Sequence, residues 1–306
     1  MSLLSILKGR RGASGFGYAS TAEEVTAGLD LRGRNILITG IGSGLGHESA
    51  RVLAKRGATI FGAARSAAKA DEACRGLGGD AVPLACELSD PASVRACVET
   101  VTGTGAKLDV ILCNAGIMAL PVREACHGQE MQFFTNHVGH FLLVTGLLDR
   151  LAPEGRVVML SSDAHNMAPA SGIQFDDLSF EKGYRPWKAY GQSKLANLLF
   201  ARSLARRFEG TARTANAVHP GVIATNLGRH MNVVARTGLG LASAIALKSI
   251  PEGAATQCFV AAHPSVAQLR GEYFADCNVA RSSRHGRDAA MADRLWAVTE
   301  EIVAKL

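Results

Sequence analysis

Tyr190-Gly191-Gln192-Ser193-Lys194 sets a phenol and an ammonium four residues apart. On a helix those two side chains share a face. A nearby ammonium favours the phenolate and lowers the tyrosine from its ordinary value near ~10. Such a tyrosine can give and take a proton near neutral pH. Ser161-Ser162 offers a hydroxyl that can hold a reacting oxygen. Thr39-Gly40-Ile41-Gly42-Ser43-Gly44-Leu45-Gly46 offers a glycine turn. Glycines let the backbone approach a ligand without a Cβ in the way, and the N–H groups that open a helix suit a pyrophosphate. Neither a Tyr-xxx-Lys pair nor a glycine turn carries much alone, so the elements around them decide.

Those elements alternate. Apolar runs at Asn35–Thr39, Thr59–Ala63, Ala81–Cys86, Leu108–Cys113, Arg156–Ser161 and Thr214–His219 read as buried strands. Between them, Leu45–Arg56, Ser66–Leu77, Met131–Leu151 and Trp187–Phe208 read as helices, and Asp90-Pro91 opens another with a cap and a first-turn proline. Pro251 starts a further helix, Glu272–Ala275 reads as a last strand, and Arg287–Lys305 as a closing helix. Strands apolar on both faces, alternating with helices, imply a doubly wound parallel α/β sheet. Ligands bind such sheets at the carboxyl ends of the strands. The glycine turn follows the first strand, Ser162 the fifth, and Tyr190 lies on the next helix. Residues 1–32 read as an N-terminal extension and 33–306 as one domain, with no linker that splits it.

Composition narrows the classes. The chain has 306 residues, 47% hydrophobic and 20% charged, an ordinary globular mix. Glycine is about 11%, against a usual ~7%. The net charge of +6 is dispersed, without a basic block, so nucleic acid is not expected as a partner. Seven scattered cysteines form no CxxC, and the nine histidines form no HExxH. A reducing, cytoplasmic setting and no metal are expected. His137 and His140 lack a third ligand at metal spacing and read as packing residues. The N-terminus has its basic residues after its short apolar run, unlike a signal peptide. The most apolar later stretch, Thr237 to Leu247, is too short to span a bilayer.

The turn's spacing is Gly40-xxx-Gly44-x-Gly46 preceded by Thr39, and with Tyr190-xxx-Lys194 it resembles the short-chain dehydrogenase/reductase family. The resemblance covers roughly Leu29 to the C-terminus and implies a Rossmann-type, nicotinamide-binding fold. It is closest to the branch of retinol dehydrogenases, the WW-domain oxidoreductase and protochlorophyllide reductases. The signs are Asn136-His137-Val138-Gly139-His140-Phe141-Leu142-Leu143, Tyr190-Gly191-Gln192-Ser193-Lys194-Leu195-Ala196-Asn197, and the long gap of 28 positions from Ser162 to Tyr190. By resemblance the catalytic set is Asn136, Ser162, Tyr190 and Lys194, with Asn136 holding a water for the proton relay. The cofactor set is Gly40, Ser43, Gly44, Leu45, Gly46, Arg65, Glu87, Leu88, Asn114, Ala115, Gly116, Tyr190, Lys194, Pro220, Gly221, Val222 and Thr225. Glu87 stands where the family has an aspartate on the adenine, Asn114 starts the loop beside the ribose, and Thr225 is expected on the nicotinamide amide. Asn114 can equally hold its neighbouring loop by amide hydrogen bonds. Ile41-Gly42, His47 and Glu87 depart from the pattern.

The second strand ends at Ala64-Arg65. A free ribose 2′-hydroxyl usually meets an acid there, whereas a guanidinium suits a 2′-phosphate, so NADP(H) is expected. Asn226 to Ser249 is expected as an apolar lid with glycine hinges. The insert Asp163 to Lys188 is expected beside the active-site mouth. Together they favour a bulky, hydrophobic carbonyl or alcohol as the small-molecule substrate. Reduction of a C=C bond and a non-catalytic NADP-binding sensor remain open alternatives, as do a homodimer and a homotetramer.

Overall fold

A computed structural model describes residues 9–223 and 247–306 of the chain. Its centre is a parallel sheet. β1 (Asn35–Thr39) leads through α1 (Gly44–Lys55) to β2 (Thr59–Ala64), then α2 (Ala67–Arg75) and β3 (Ala81–Ala85). The chain then crosses through α3 (Pro91–Gly103) to β4 (Leu108–Cys113) on the other side of β1. A small hairpin, β5 (Ala125–Cys126) and β6 (Gln129–Glu130), precedes one short helical stretch, Met131–Phe133, and a π-helical turn, Phe134–Val138. α4 (Gly139–Gly146) and β7 (Leu151–Leu160) follow, then α5 (Pro186–Arg207) and β8 (Thr214–His219). α6 (Ile250–Ala262), β9 (Tyr273–Ala275), β10 (Asn278–Val279) and α7 (Ala289–Ala304) complete the chain.

The sheet order is β10-β9-β8-β7-β4-β1-β2-β3. All neighbours run parallel except β10, which pairs antiparallel with β9 as Asn278↔Ala275 and Val279↔Phe274. β1 lies between β2 and β4, in register Ile36↔Ile60 and Ile36↔Val110. The direction of winding reverses there, and that switch point is where a doubly wound sheet takes its ligand.

Alternate side chains of one strand face opposite sides. Ile36 and Ile38 pack with Leu53, Val260 and Phe259 under α1 and α6. Leu37 packs with Phe141, Leu143 and Leu198 under α4 and α5. Both faces are therefore covered, and the strand ends alone remain for chemistry. α7 closes the outer side of α5: Trp296 stacks on Phe200 at 5.5 Å, and the Arg207 guanidinium sits 3.6 Å over its ring.

Two stretches differ from their sequence pattern. The long helix expected over Met131–Leu151 is broken by the π turn Phe134–Val138 and ends at Gly146, after which β7 begins at Leu151. Among residues expected as an extension, Ala22–Val25 forms a helical turn capped by Thr21. Its Glu23 pairs with Arg51, Lys55 and Arg56, which ties the stretch to α1. Among the described residues, no helix is long and apolar enough to cross a membrane. All seven cysteines are buried and unbridged.

Candidate active site

The site is built where β1, β4, β7 and β8 end. The turn after β1 is held by its neighbour, since the Gly40 and Ile41 N–H groups donate to the Ala63 carbonyl at 2.8 and 3.3 Å. Gly40 and Gly44 take positive φ, +74° and +60°, which glycine adopts without strain. A Cβ on Gly46 would overlap the Gly40 carbonyl and the Asn114 amide. A Cβ on Gly42 or Gly44 would meet nothing within 4 Å. Ser43 caps α1 with its backbone extended and makes no side-chain cap bond to the first-turn amides. This bare backbone cradle at a helix N-terminus fits a pyrophosphate. The departures from the family pattern have structural uses. Ile41 is fully buried over Gly62, and His47 Nδ1 lies 3.2 Å from the Ile41 carbonyl.

Asn114 holds this turn rather than offering its amide outward. Its Nδ2 donates to the Thr39 carbonyl at 2.8 Å, and its Oδ1 accepts from Gln257 Nε2 at 3.2 Å. The Asn114 and Ala115 N–H groups both donate to Thr39 Oγ1 at 3.0 Å. With both its lone pairs taken, that hydroxyl gives its proton to His140 Nε2, 2.9 Å away. His140 Nδ1–H then donates to the Asn136 carbonyl at 2.9 Å. A buried neutral imidazole thus links the glycine turn to the π turn, and burial pushes its pKa down to about 4. His137 points elsewhere, to Thr299 Oγ1 at 3.0 Å.

Asn136 is fully buried, and both its amide nitrogen and its amide oxygen are bonded. Nδ2 donates to the Ile117 carbonyl and to Ser193 Oγ, both at 2.9 Å, while Oδ1 accepts the Ile117 N–H at 2.8 Å. The side chain is therefore a clamp on the loop after β4. Gly116 forms the join: a Cβ there would stand 3.0 Å from Asn136 Oδ1 and 3.4 Å from Lys194 Nζ.

Ser161 and Ser162 divide their labour. Ser161 is buried and donates to the Lys194 carbonyl at 2.8 Å. The Ser162 hydroxyl accepts the Ala164 N–H at 3.2 Å, and its influence on the Tyr190 phenol opposes the rise that burial causes. Tyr190 is 9% exposed and Lys194 3%. The Lys194 Nζ lies 5.6 Å from the centre of the Tyr190 ring and donates to the Leu160 carbonyl at 3.0 Å. The expected lowering of the phenol by the ammonium does not dominate here. Burial pushes Tyr190 up to about 12 and Lys194 down to about 8, and Ser162 opposes the rise on the tyrosine.

The remaining positions are mixed. Arg65 is exposed at the end of β2, and among the described residues no hydrogen bond or ion pair engages it. Glu87 Oε1 accepts from the Ser89 hydroxyl and N–H at 2.9 and 3.2 Å, so this oxygen serves its own loop. Leu88 is buried with its carbonyl against Gly139, where a Cβ would overlap it. Leu45 packs partly buried beside Gly253. Pro220 is buried, Gly221 takes φ +91° against the Lys248 side chain, and Val222 is 57% exposed. Thr225 and the expected lid residues 226–246 lie outside the described residues.

The insert reaches the tyrosine. Its Met167 backbone packs on Gly191. The Trp187 ring meets Tyr190 edge-on at 6.1 Å and stays 42% exposed. Tyr184 donates to the Leu120 carbonyl at 2.7 Å. Thr39, His140, His165 and His219 were missing from the expected site. Their only sequence signal is position, at a strand end or a few residues from a reactive side chain.

Comparison with known proteins places the chain among the short-chain dehydrogenases. Residues 34–175 match the family model described as short chain dehydrogenase. The chain is 41% identical over 325 residues to the chloroplastic short-chain dehydrogenase TIC 32 A of Brassica napus, covering 100% of each. It is 38% identical over 296 residues to retinol dehydrogenase 14 of Mus musculus, covering 90% of this chain and 87% of that one. A crystal structure of an uncharacterized protein from Mycobacterium Paratuberculosis matches with a TM-score of 0.75 at 35% identity, covering 92% of this chain and 97% of that one.

Proposed function

The chain belongs to the short-chain dehydrogenase family, and from that premise we propose an NADP(H)-dependent oxidoreductase that interconverts a bulky, mainly hydrophobic carbonyl compound and its alcohol. The observation that carries this reading is the gathering of Ser162, Tyr190 and Lys194 at the carboxyl end of β7, with Lys194 Nζ against Gly116 of the loop after β4. Bound NADPH supplies the hydride. Ser162 holds the substrate oxygen. Tyr190 gives that oxygen its proton in reduction and takes it back in oxidation. Lys194, drawn down to about 8, sits close enough to resupply positive charge as the tyrosine gives up its proton. Asn136 keeps the Ile117 loop against Lys194 by its amide bonds. The backbone of Gly40–Gly46 receives the pyrophosphate, and the turn at Pro220-Gly221-Val222 borders the nicotinamide end.

Arg65 selects the cofactor in this reading. A guanidinium bonded to a phosphate contributes about 1.5–3 kcal/mol. Arg65→Ala is therefore expected to weaken NADPH binding by about 10- to 100-fold and to leave NADH nearly unchanged. Titrating both cofactors by fluorescence checks it; equal losses remove Arg65 from the role.

The apolar rim favours the substrate class. Trp187, Met167 and Val222 are exposed large apolar side chains beside Tyr190 or the Pro220-Gly221 turn. Each buried methylene contributes about 0.8 kcal/mol, roughly fourfold in kcat/KM. Activity is expected to climb from acetaldehyde through hexanal to decanal and aromatic aldehydes. A preference for glyceraldehyde or a hydroxy acid would reject the hydrophobic class and leave the hydride chemistry standing.

A further inference from the structure

The peptide that joins Ser162 to Asp163 is gripped at both ends by imidazoles. The Ser162 carbonyl lies 2.6 Å from His165 Nδ1, and the Asp163 N–H donates to His219 Nδ1 at 3.1 Å. A carbonyl only accepts, so His165 carries its proton on Nδ1. Its bare Nε2 accepts the Ser283 N–H at 2.9 Å. A backbone N–H only donates, so His219 is bare at Nδ1 and protonated at Nε2. The two rings hold opposite neutral tautomers. Neither can take a second proton without losing one of these bonds, and burial keeps both below the ordinary histidine value.

Their place in the fold explains why the grip is needed. The β7–β8 ladder carries on to Ser161, whose N–H donates to the Val218 carbonyl at 2.9 Å. Beyond it the ladder stops, and the Ser162 carbonyl accepts the main-chain N–H of His165 at 3.0 Å. His219, the last residue of β8, and His165, from the insert, add side-chain partners at the two ends of that peptide. Ser162 stays extended, with φ −166° and ψ 158°. The ring of His165 is fixed in turn by Tyr273 of β9, edge-on at 5.0 Å.

We propose that His165 and His219 are positioning residues that lock the Ser162–Asp163 peptide and so aim the Ser162 hydroxyl at Tyr190. This rests on the reading of Ser162 as the residue that holds the substrate oxygen. Misplacing a reacting group by about 1 Å costs on the order of 100-fold in rate, so loosening this peptide lowers kcat and spares cofactor affinity.

The first test needs no turnover. In the full chain labelled with 15N-histidine, long-range proton–nitrogen spectra are expected to show His165 protonated at Nδ1 and His219 at Nε2. Both tautomers hold from pH 8 to 6, in the presence of Asp163, Asp276, Lys248 and His165 around His219 and of Asp163 and Arg202 around His165. Matching tautomers, or a ring that titrates in that range, overturn the proposal. The second test uses NADPH with 4-nitrobenzaldehyde. His165→Phe and His219→Leu are expected to lower kcat by about 10- to 100-fold with NADPH Kd unchanged. His165→Asn restores an N–H toward the Ser162 carbonyl, and His219→Asn restores an oxygen toward the Asp163 N–H, so both recover most of the rate. Equal losses in the apolar and asparagine variants also overturn the proposal. Ser162→Ala separates the two levels. Full activity in Ser162→Ala refutes the role of Ser162 itself, whereas collapse there with full activity in the histidine variants refutes the clamp alone.

Discussion

Tyr190→Phe is expected to fold, to bind NADPH with wild-type affinity, and to lose about three orders of magnitude in kcat, within the range that general acid–base catalysis supplies. The substitution removes one oxygen. The ring stays packed against Trp187, and the cradle at Gly40–Gly46 is untouched. Ser162 keeps its bond from the Ala164 N–H at 3.2 Å, so its hydroxyl is not left without a partner. What disappears is the proton that the substrate oxygen must receive. Single-turnover absorbance of NADPH with the best aldehyde of the series, beside a fluorescence titration of the cofactor, separates chemistry from binding. A variant that still reduces that aldehyde at close to the parent rate would remove Tyr190 from the mechanism. One that loses cofactor binding as well would assign it to the fold.

The protein is also expected to unfold in mild acid. His137 and His140 are fully buried, and burial pushes them down to about 3 and about 4 from an ordinary value of 6.5. Below pH 6.5 the unfolded chain binds protons that these rings refuse, so stability falls with pH. The loss is absent above about pH 7 and grows until pH reaches the folded values. At pH 4.5 each ring costs about 2–3 kcal/mol. Two of them take about 5 kcal/mol from a usual total of 5–15, and His165 and His219 add in the same direction. Far-UV circular dichroism against pH should show a midpoint above about pH 4. The Thr299 hydroxyl donates to the Leu295 carbonyl at 2.7 Å, which leaves it to accept from His137 Nε2. His137→Gln keeps a donor toward it and cannot take the proton, so it should move the midpoint downward. A midpoint below pH 3 that this variant leaves in place would show that the buried histidines do not govern acid unfolding.

Much of the fold was legible because its signals are local. A short apolar run that ends in glycines is a buried strand wherever it lies, and Asn35–Thr39, Leu108–Cys113 and Thr214–His219 begin and end where the pattern says. The Asp90-Pro91 helix start and the shared face of Tyr190 and Lys194 are local in the same sense. The break at Phe134–Val138 was not legible, because the stretch reads as one continuous apolar helix. There the side chains of Asn136 and His140 hold the loop after β4 and the end of β1. Such bonds join residues that are neighbours only after the sheet has formed.

By itself, then, the sequence determined most element types, the parallel sheet and, by resemblance, the family, since the patterns that carry them are local. Only the tertiary structure decided which way the side chains of the site act. It turned Ser161 into the core and Ser162 toward Tyr190, and committed the amides of Asn114 and Asn136 to the loops. It let burial raise the tyrosine and lower the lysine. Hydrogen-bond partners and desolvation depend on atoms more than a hundred positions away, such as Thr39 beside His140 and Ser283 beside His165, and no pattern along the chain carries that distance.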